Sequence, residues 1–324
     1  MIKSPIVILW GEPNSVFSEI FVKAVKRNKY KNPILLLGSK KLFEFQLKKL
    51  RLKLNFNQIN LKNHKFINLD KNKINFLDID YKFNNSFEEI SSKSNNYINQ
   101  CFETVFKIIN NNNVLGVING PISKKYFLKD RFLGITEYLA KKFKVKDKFA
   151  MLIFNKTLSV LPITTHLPVS KISKNINKKS IILKTSLVDK FYKDNFAKKP
   201  NIAFCGLNPH CENFFNVSEE NKIIKPVINL LKKRGLKVSG PFPTDTIFMK
   251  QNRMKYDVIV GMYHDQVLGP IKALHGFNAI NITLGLPILR ISPDHGPNFK
   301  MVGKNKSNSQ SLVEAIKFLD NKKW

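Results

Sequence analysis

Three histidines share one context. His166 follows LSVLPITT, His210 follows NIAFCGLNP and His264 follows YDVIVGMY. Each stands after an apolar run of strand length and before a turn. In a parallel α/β sheet the carboxyl ends of the strands line the ligand crevice. Three imidazoles delivered there have the chemistry to hold one divalent ion. Imidazole nitrogen suits zinc, cobalt, nickel or iron better than magnesium, and an added carboxylate makes the site less selective. Asp265 follows His264 directly and Asp245 sits in GPFPTDT. Either can be that carboxylate, as a ligand or as the group that hydrogen-bonds a ligating imidazole. Any one of these histidines alone reads as readily as a hydrogen-bonded loop residue. The signal is the shared position, and it is less specific than H-E-x-x-H because the ligands come from separate strands. His64, His275 and His295 lack this context. Cys205 and Cys211 flank His210, but C-x5-C is not a zinc spacing, so Cys205 reads as strand core and Cys211 as a loop thiol.

A second cluster lies in the C-terminal third: Lys272, Asn281 in NITLGLP, and Arg290 in ILRISPDHG. A lysine, an amide and an arginine converging on one crevice suit a phosphate or a carboxylate. Lys272 is unremarkable in a lysine-rich chain. Arg290 is one of only six arginines and sits inside an apolar run.

These residues need strands to carry them. IVILW (6–10) and PILLLG (33–38) read as buried strands, with FSEIFVKAVKRN (17–28) as the helix between them. FINLD and INFLDID are β-like. Ser86 opens SFEE, a capping box, with a long helix expected to about Asn110. VLGVING, AMLIF, LSVLPIT and NIAFCGLN supply further strands. SEENKIIKPVINLLKKRG reads as a helix capped by Ser218, kinked at Pro226 and ended by Gly235, and SLVEAIKFLD as a last helix. The alternation predicts an α/β fold with a largely parallel sheet. No two glycines lie two residues apart, so G-x-G-x-x-G is absent; Gly235 and Gly240 have P-loop spacing, but Pro241-Phe242 follow in place of Lys-Ser/Thr.

The 324 residues carry 55 Lys+Arg against 23 Asp+Glu, a net charge of +32. A basic balance of this size usually points to nucleic acid. Here the lysines are spread over the whole chain, and Asn, Ile and Phe are inflated with them, which is the mark of an A/T-rich coding bias. No specific nucleic-acid partner is expected. The N-terminus lacks the apolar core of a signal peptide, no stretch approaches the roughly 20 residues of a membrane span, and three cysteines exclude a disulfide framework. The expected setting is cytoplasmic, without a membrane partner.

The short motifs together resemble the 4-hydroxythreonine-4-phosphate dehydrogenase family of pyridoxal phosphate biosynthesis. They are GEP (11–13), NGPISK, GITEYLA (134–140), TTHLP (164–168), CGLNPH (205–210), GPFPTDT (240–246), MYHDQ (262–266), NITLGLPILR (281–290) and DHG (294–296), in the family's order. The resemblance implies that His166, His210 and His264 bind one divalent metal (zinc, cobalt or magnesium). It implies that Thr136, Lys272, Asn281 and Arg290 contact a phosphorylated substrate. It also implies two α/β/α parts like those of isocitrate and isopropylmalate dehydrogenases, with the active site in the cleft between them and a homodimer that completes it. Residues 1–133 with 281–324 would form one part and 134–280 the other. Such enzymes use NAD or NADP without the glycine fingerprint; which residues hold the dinucleotide stays open.

The implied reaction is oxidation of the C3 hydroxyl of 4-phosphohydroxy-L-threonine, with hydride passing to NAD or NADP. Decarboxylation to 3-amino-2-oxopropyl phosphate follows, on the route to pyridoxine 5'-phosphate. Catalytic roles fall to Lys272, Asp265 and Asp245, with the general base open between Lys272 and a hydroxide on the metal. A sister activity on threonate or erythronate 4-phosphate needs the same residues. A catalytically silent ligand-binding relative and a basic nucleic-acid-binding protein are the other readings. Two departures stand out. Ile135 replaces the histidine of the family's GHTE, and Asn14-Ser15-Val16-Phe17 replaces small residues after GEP.

Overall fold

The computed structural model describes residues 4–61, 69–128, 132, 134–211 and 218–321. Twelve strands lie among them: β1 (Ile6–Leu9), β2 (Ile34–Gly38), β3 (Phe56–Ile59), β4 (Ile74–Asp78), β5 (Gly116–Asn119), β6 (Ala150–Phe154), β7 (Ser159–Thr164), β8 (Ile202–Cys205), β9 (Val238–Phe242), β10 (Val258–Tyr263), β11 (Ile280–Leu284) and β12 (Arg290–Pro293). Helices separate most of them, giving a mixed α/β fold. The chain divides into two compact units, Met1–Ile135 with Ile288–Trp324 and Thr136–Pro287.

In the first unit the strand order is β3-β4-β2-β1-β5-β12, with parallel pairing throughout. Every residue of β1, β2 and β5 is buried. That explains their unbroken apolar runs, since a parallel strand covered on both faces has no solvent side to alternate toward. Trp10, just past β1, packs edge-on against Phe43 at 5.5 Å between ring centroids. The helix Phe17–Arg27 buries Phe17, Ile20, Phe21 and Ala24 along one face and also Ser18, Glu19 and Val22, so its first turns are enclosed on every side.

One sequence expectation fails in this unit. SFEE does not open a helix. Glu88 instead accepts the backbone N–H groups of Asn84 (2.7 Å) and Asn85 (3.2 Å), and its own N–H donates to Asn14 Oδ1 at 3.0 Å. The helix starts later, at Asn95–Asn111, after a 3-10 turn at Ser92–Ser94. FINLD overlaps residues 66–68, which lie outside the described set, and the outer strand is the half-polar FNQI of β3.

In the second unit the order is β11-β6-β7-β10-β8-β9. β7, β10, β8 and β9 run parallel, whereas β6 is antiparallel to both β7 and β11. Only four residues join β6 to β7, and a parallel crossover needs about a dozen. Asn155 Oδ1 closes that turn by accepting from Thr157 N (2.9 Å) and Thr157 Oγ1 (2.8 Å). β9, VSGPF, has no strand-like pattern because Pro241 lacks a donor; it survives at the end of this strand order, with a register irregularity beside β8. Residues 281–287 belong with this unit rather than with the C-terminal segment, because β11 is paired along its length with β6.

The segment from Ser218 begins as expected, with Asn221 N donating to Ser218 Oγ at 3.3 Å. It runs as a π-turn at Glu220–Ile224 before the α-helix Lys225–Lys233, with Pro226 in that helix's first turn and Gly235 past its end at φ +79°. The three cysteines are free. Among the described residues no helix is long and apolar enough to cross a membrane.

Candidate active site

The strand order of the second unit decides the site. β10 lies between β7 and β8, and all three are parallel. Their carboxyl ends therefore share one edge, with neighbours about 4.8 Å apart. His166 follows β7, His264 follows β10 and His210 follows β8. Tyr263 pairs with Thr164 in register, so the chain leaves both strands at one level. The rings of His166 and His264 come to 5.8 Å between centroids. His264 does not precede a turn, as the sequence suggested, but is the first residue of the helix His264–His275. His166 (φ 44°) and His210 (φ 56°) both take left-handed backbone. That conformation costs a non-glycine residue about 1–3 kcal/mol and persists only where surrounding structure enforces it.

Each imidazole faces a carboxylate through Nδ1. Asp265 Oδ1 is 2.6 Å from His264 Nδ1, Asp245 Oδ2 is 3.9 Å from His210 Nδ1, and Glu137 Oε1 is 4.0 Å from His166 Nδ1. The Asp265 bond favours the His264 tautomer that carries its proton on Nδ1 and leaves Nε2 as the nitrogen for a ligand, whereas the approaches at His210 and His166 are longer than a hydrogen bond. Asp265 and Asp245 were expected beside histidines. Glu137 was missed, because nothing in GITEYLA ties it to a histidine 29 positions later.

The donor set suits a divalent metal. A zinc ion sits about 2.0–2.1 Å from an imidazole nitrogen, so two ligating rings have centroids at most roughly 6 Å apart. The His166–His264 pair meets that limit. His210 is not brought to them: 65% of its side chain is exposed, and Asp245 is the charged group at its ring. Among the described residues no group of three or more His, Cys, Asp or Glu side chains is assembled to hold an ion. His64 lies outside the described residues.

The loop bearing His210 is built by two carboxylates. Glu220 Oε1 accepts from Leu207 N and Asn208 N, both at 2.8 Å, and its Oε2 accepts from Asn208 Nδ2 at 2.8 Å. Glu219 Oε2 takes the same amide at 3.0 Å. Glu220 is fully buried. Burial raises its carboxyl, but the bonds from Asn208 and Leu207 prevail and hold it below the usual range. Gln266 ties three strand ends together, donating to Gly206 O (2.6 Å) and Thr244 Oγ1 (2.9 Å) and accepting from Met262 N (2.6 Å). The sequence offered no signal for it beyond its place beside His264 and Asp265.

Of the anion-binding candidates, Asn281 and Thr283 share one face of β11, since alternate strand residues do. Thr136 Oγ1 lies 3.4 Å from Thr283 Oγ1. The Asn281 side-chain oxygen is buried with no hydrogen-bond partner among the described residues, as expected of a group that meets a donor from a ligand. Lys272 is two turns along the helix from His264, about 12 Å by helical rise. Arg290 belongs to the first unit, on β12, and is 4% exposed. Its Nε donates to Asn119 Oδ1 at 2.6 Å, which gives the NGPISK motif a role that sequence alone did not reveal. Beside it, the GEP and NGP turns meet backbone to backbone. Glu12 N donates to Pro121 O at 2.8 Å, and a Cβ on Gly120 would stand 1.9 Å from Trp10 O. Ile135 is 9% exposed at the start of the helix Ile135–Lys142.

Comparison with known proteins places the chain in a family. The family model described as "Pyridoxal phosphate biosynthetic protein PdxA" matches residues 29–319. A 4-hydroxythreonine-4-phosphate dehydrogenase from Sulfurihydrogenibium sp. (strain YO3AOP1) is 36% identical over 317 residues, 96% of each chain. A protein named "Putative D-threonate 4-phosphate dehydrogenase" from Oceanobacillus iheyensis is 32% identical over 98% of this chain and 97% of its own. The solved 4-hydroxythreonine-4-phosphate dehydrogenase of Klebsiella pneumoniae superposes with a TM-score of 0.82 at 26% identity, over 98% of both chains. Fold likeness extends to the isocitrate dehydrogenase of Methylococcus capsulatus, with a TM-score of 0.50 at 10% identity over 98% of this chain and 84% of that one. With one family model matching most of its length and a relative matching nearly end to end, the chain belongs to the pyridoxal phosphate biosynthetic protein PdxA family.

Proposed function

We propose that the protein is an NAD(P)-linked, metal-dependent dehydrogenase. It oxidises 4-phosphohydroxy-L-threonine at C3, and loss of CO2 then yields 3-amino-2-oxopropyl phosphate for pyridoxine 5'-phosphate biosynthesis. The observation that carries the reading is that three parallel strands with a histidine after each share one sheet edge, where the His166 and His264 rings come to 5.8 Å and Asp265 hydrogen-bonds His264 Nδ1. Family membership supports it.

His166, His264 and His210 are the residues that would hold the ion. When bound, a divalent ion of the zinc, cobalt or magnesium class supplies Lewis acidity toward the C3 oxygen. Asp265 and Asp245 orient His264 and His210. Asn281 and Thr136 fix the substrate by hydrogen bonds, and Lys272 and Arg290 receive its anionic groups. Hydride leaves C3 for the nicotinamide, and the hydroxyl proton goes to a base, for which Lys272 is this chain's candidate. The exposed His210, apart from the other two imidazoles, supports a homodimer in which a second copy completes the metal site.

The test is NADH or NADPH formation from 4-phosphohydroxy-L-threonine in metal-stripped and metal-replete protein. Metal-dependent turnover is expected. The 32% identity to the protein named for D-threonate 4-phosphate motivates a parallel assay. A higher kcat/KM on D-threonate 4-phosphate would assign the sister activity instead.

A further inference from the structure

We infer that Gln266 is a positioning residue of the candidate metal centre, the link that holds the three histidine-bearing strand ends at a fixed spacing; the assignment rests on the metal reading above. Gln266 is the third residue of the helix His264–His275 and is 6% exposed. A glutamine at that place commonly reaches back to the backbone N–H of the residue that caps the helix. Here it reaches one residue further, and its Oε1 accepts from Met262 N, near the end of β10, at 2.6 Å. Its Nε2 donates to Gly206 O at 2.6 Å and to Thr244 Oγ1 at 2.9 Å. These partners fix which way the amide points, because Met262 N can only donate and Gly206 O can only accept.

The bonds run on from there. Thr164 Oγ1 donates to Met262 O at 2.7 Å. Thr164 ends β7 two residues before His166, and Met262 stands two residues before His264. Gly206 follows β8, four residues before His210, and Thr244 precedes Asp245, the carboxylate at the His210 ring. One chain of hydrogen bonds, Thr164–Met262–Gln266–Gly206, therefore crosses β7, β10 and β8 where each delivers its histidine. The ladder between β10 and β8 ends at Val260 and Phe204. Past it, Gln266 carries the tie between the end of β10 and the loop of His210. Gly206 is closed in from another side, since a Cβ there would stand 2.5 Å from Cys211 Sγ and 3.0 Å from Glu220 Oε1. Both polar atoms of the Gln266 side chain have partners, and a buried network satisfied in this way is rigid.

Zinc affinity of the full-length protein, measured by competition with a chromophoric chelator, tests the assignment. The visible absorption of the cobalt-loaded protein gives a second readout, of ligand geometry. Gln266→Met keeps the length of the side chain but drops all three bonds. It should weaken zinc binding about tenfold and change the cobalt spectrum. Thr244→Val removes one of the bonds and should have a smaller effect of the same kind, whereas Thr244→Ser keeps the hydroxyl and should bind zinc as the wild type does. Because Thr244 acts through Gln266, the double variant Gln266→Met with Thr244→Val should bind no worse than Gln266→Met alone. Wild-type zinc affinity and cobalt spectrum in Gln266→Met, with only the melting temperature lowered, would show a merely structural amide; that result overturns the inference and leaves the proposed function standing. Losses that add in the double variant also overturn it, since Thr244 would then act independently of Gln266. If Gln266→Met does not fold, the loss in Thr244→Val and its recovery in Thr244→Ser decide. Absence of zinc binding by the wild type removes the metal reading and this inference together.

Discussion

His166 and His264 are 98 positions apart in the chain, yet their rings stand 5.8 Å from each other. The cause is one pairing: β10 lies beside β7 with Tyr263 opposite Thr164, so both chains turn out of the sheet at the same level.

If that pair holds metal, His166→Ala and His264→Ala should each lose most bound zinc or cobalt and nearly all turnover. Metal content per subunit in dialysed protein checks this. His210→Ala should behave alike if a second copy brings His210 to the site. Unchanged metal content in all three variants would refute the ligand set.

Arg290→Lys should lower kcat/KM by about 10- to 100-fold. Lys lacks the planar fork that binds an anion with two donors, and it cannot reproduce the Nε bond to Asn119. Asn119→Ala should show a weaker version of the same defect. Steady-state kinetics on the phosphorylated substrate reports both; wild-type constants for Arg290→Lys would rule out a two-pronged contact.

Glu220 predicts an acid limb of stability. Against burial, which raises it, its folded carboxyl is held below the usual carboxylate range by the bonds from Asn208 and Leu207. Its stabilisation is therefore present above the pKa of the unfolded carboxyl and is lost as pH falls through the lower folded pKa. Urea denaturation as a function of pH should show this fall, flattened in Glu220→Gln. Glu220→Ala strands the donors of Leu207 and Asn208 and should cost about 2–4 kcal/mol at neutral pH.

Gly120→Ala should destabilise the first unit by about 1–3 kcal/mol, because the new Cβ meets the Trp10 carbonyl at 1.9 Å and backbone cannot yield as a side chain does. Thermal unfolding of the variant is the measurement. A melting temperature equal to wild type would mean the GEP and NGP turns are not held backbone to backbone.

Ile135→His should be tolerated or mildly activating. One absent hydrogen bond to substrate typically costs on the order of 1–3 kcal/mol, a loss of efficiency and not of activity. Turnover by metal-replete wild type with NAD or NADP is the check. No turnover in the wild type, restored by Ile135→His, would make the imidazole obligatory.

Much of the architecture was legible in the chain. Runs such as IVIL, ILLLG and AMLIF are too apolar to be anything but strands buried on both faces, and the histidines after LSVLPITT, NIAFCGLNP and YDVIVGMY marked strand ends. Arg290 stood out by its rarity. Three things were decided only by tertiary structure. Strand order put β10 between β7 and β8, because sheet pairing joins elements by register and not by chain distance. The same packing turned Glu88 away from a helix cap and toward Asn14, a partner 74 positions earlier. It also set Glu137 near His166 and Asn119 against Arg290. A carboxylate, an ammonium or an amide acquires a role from the charge it is buried against, and no local spacing encodes which distant side chain that will be.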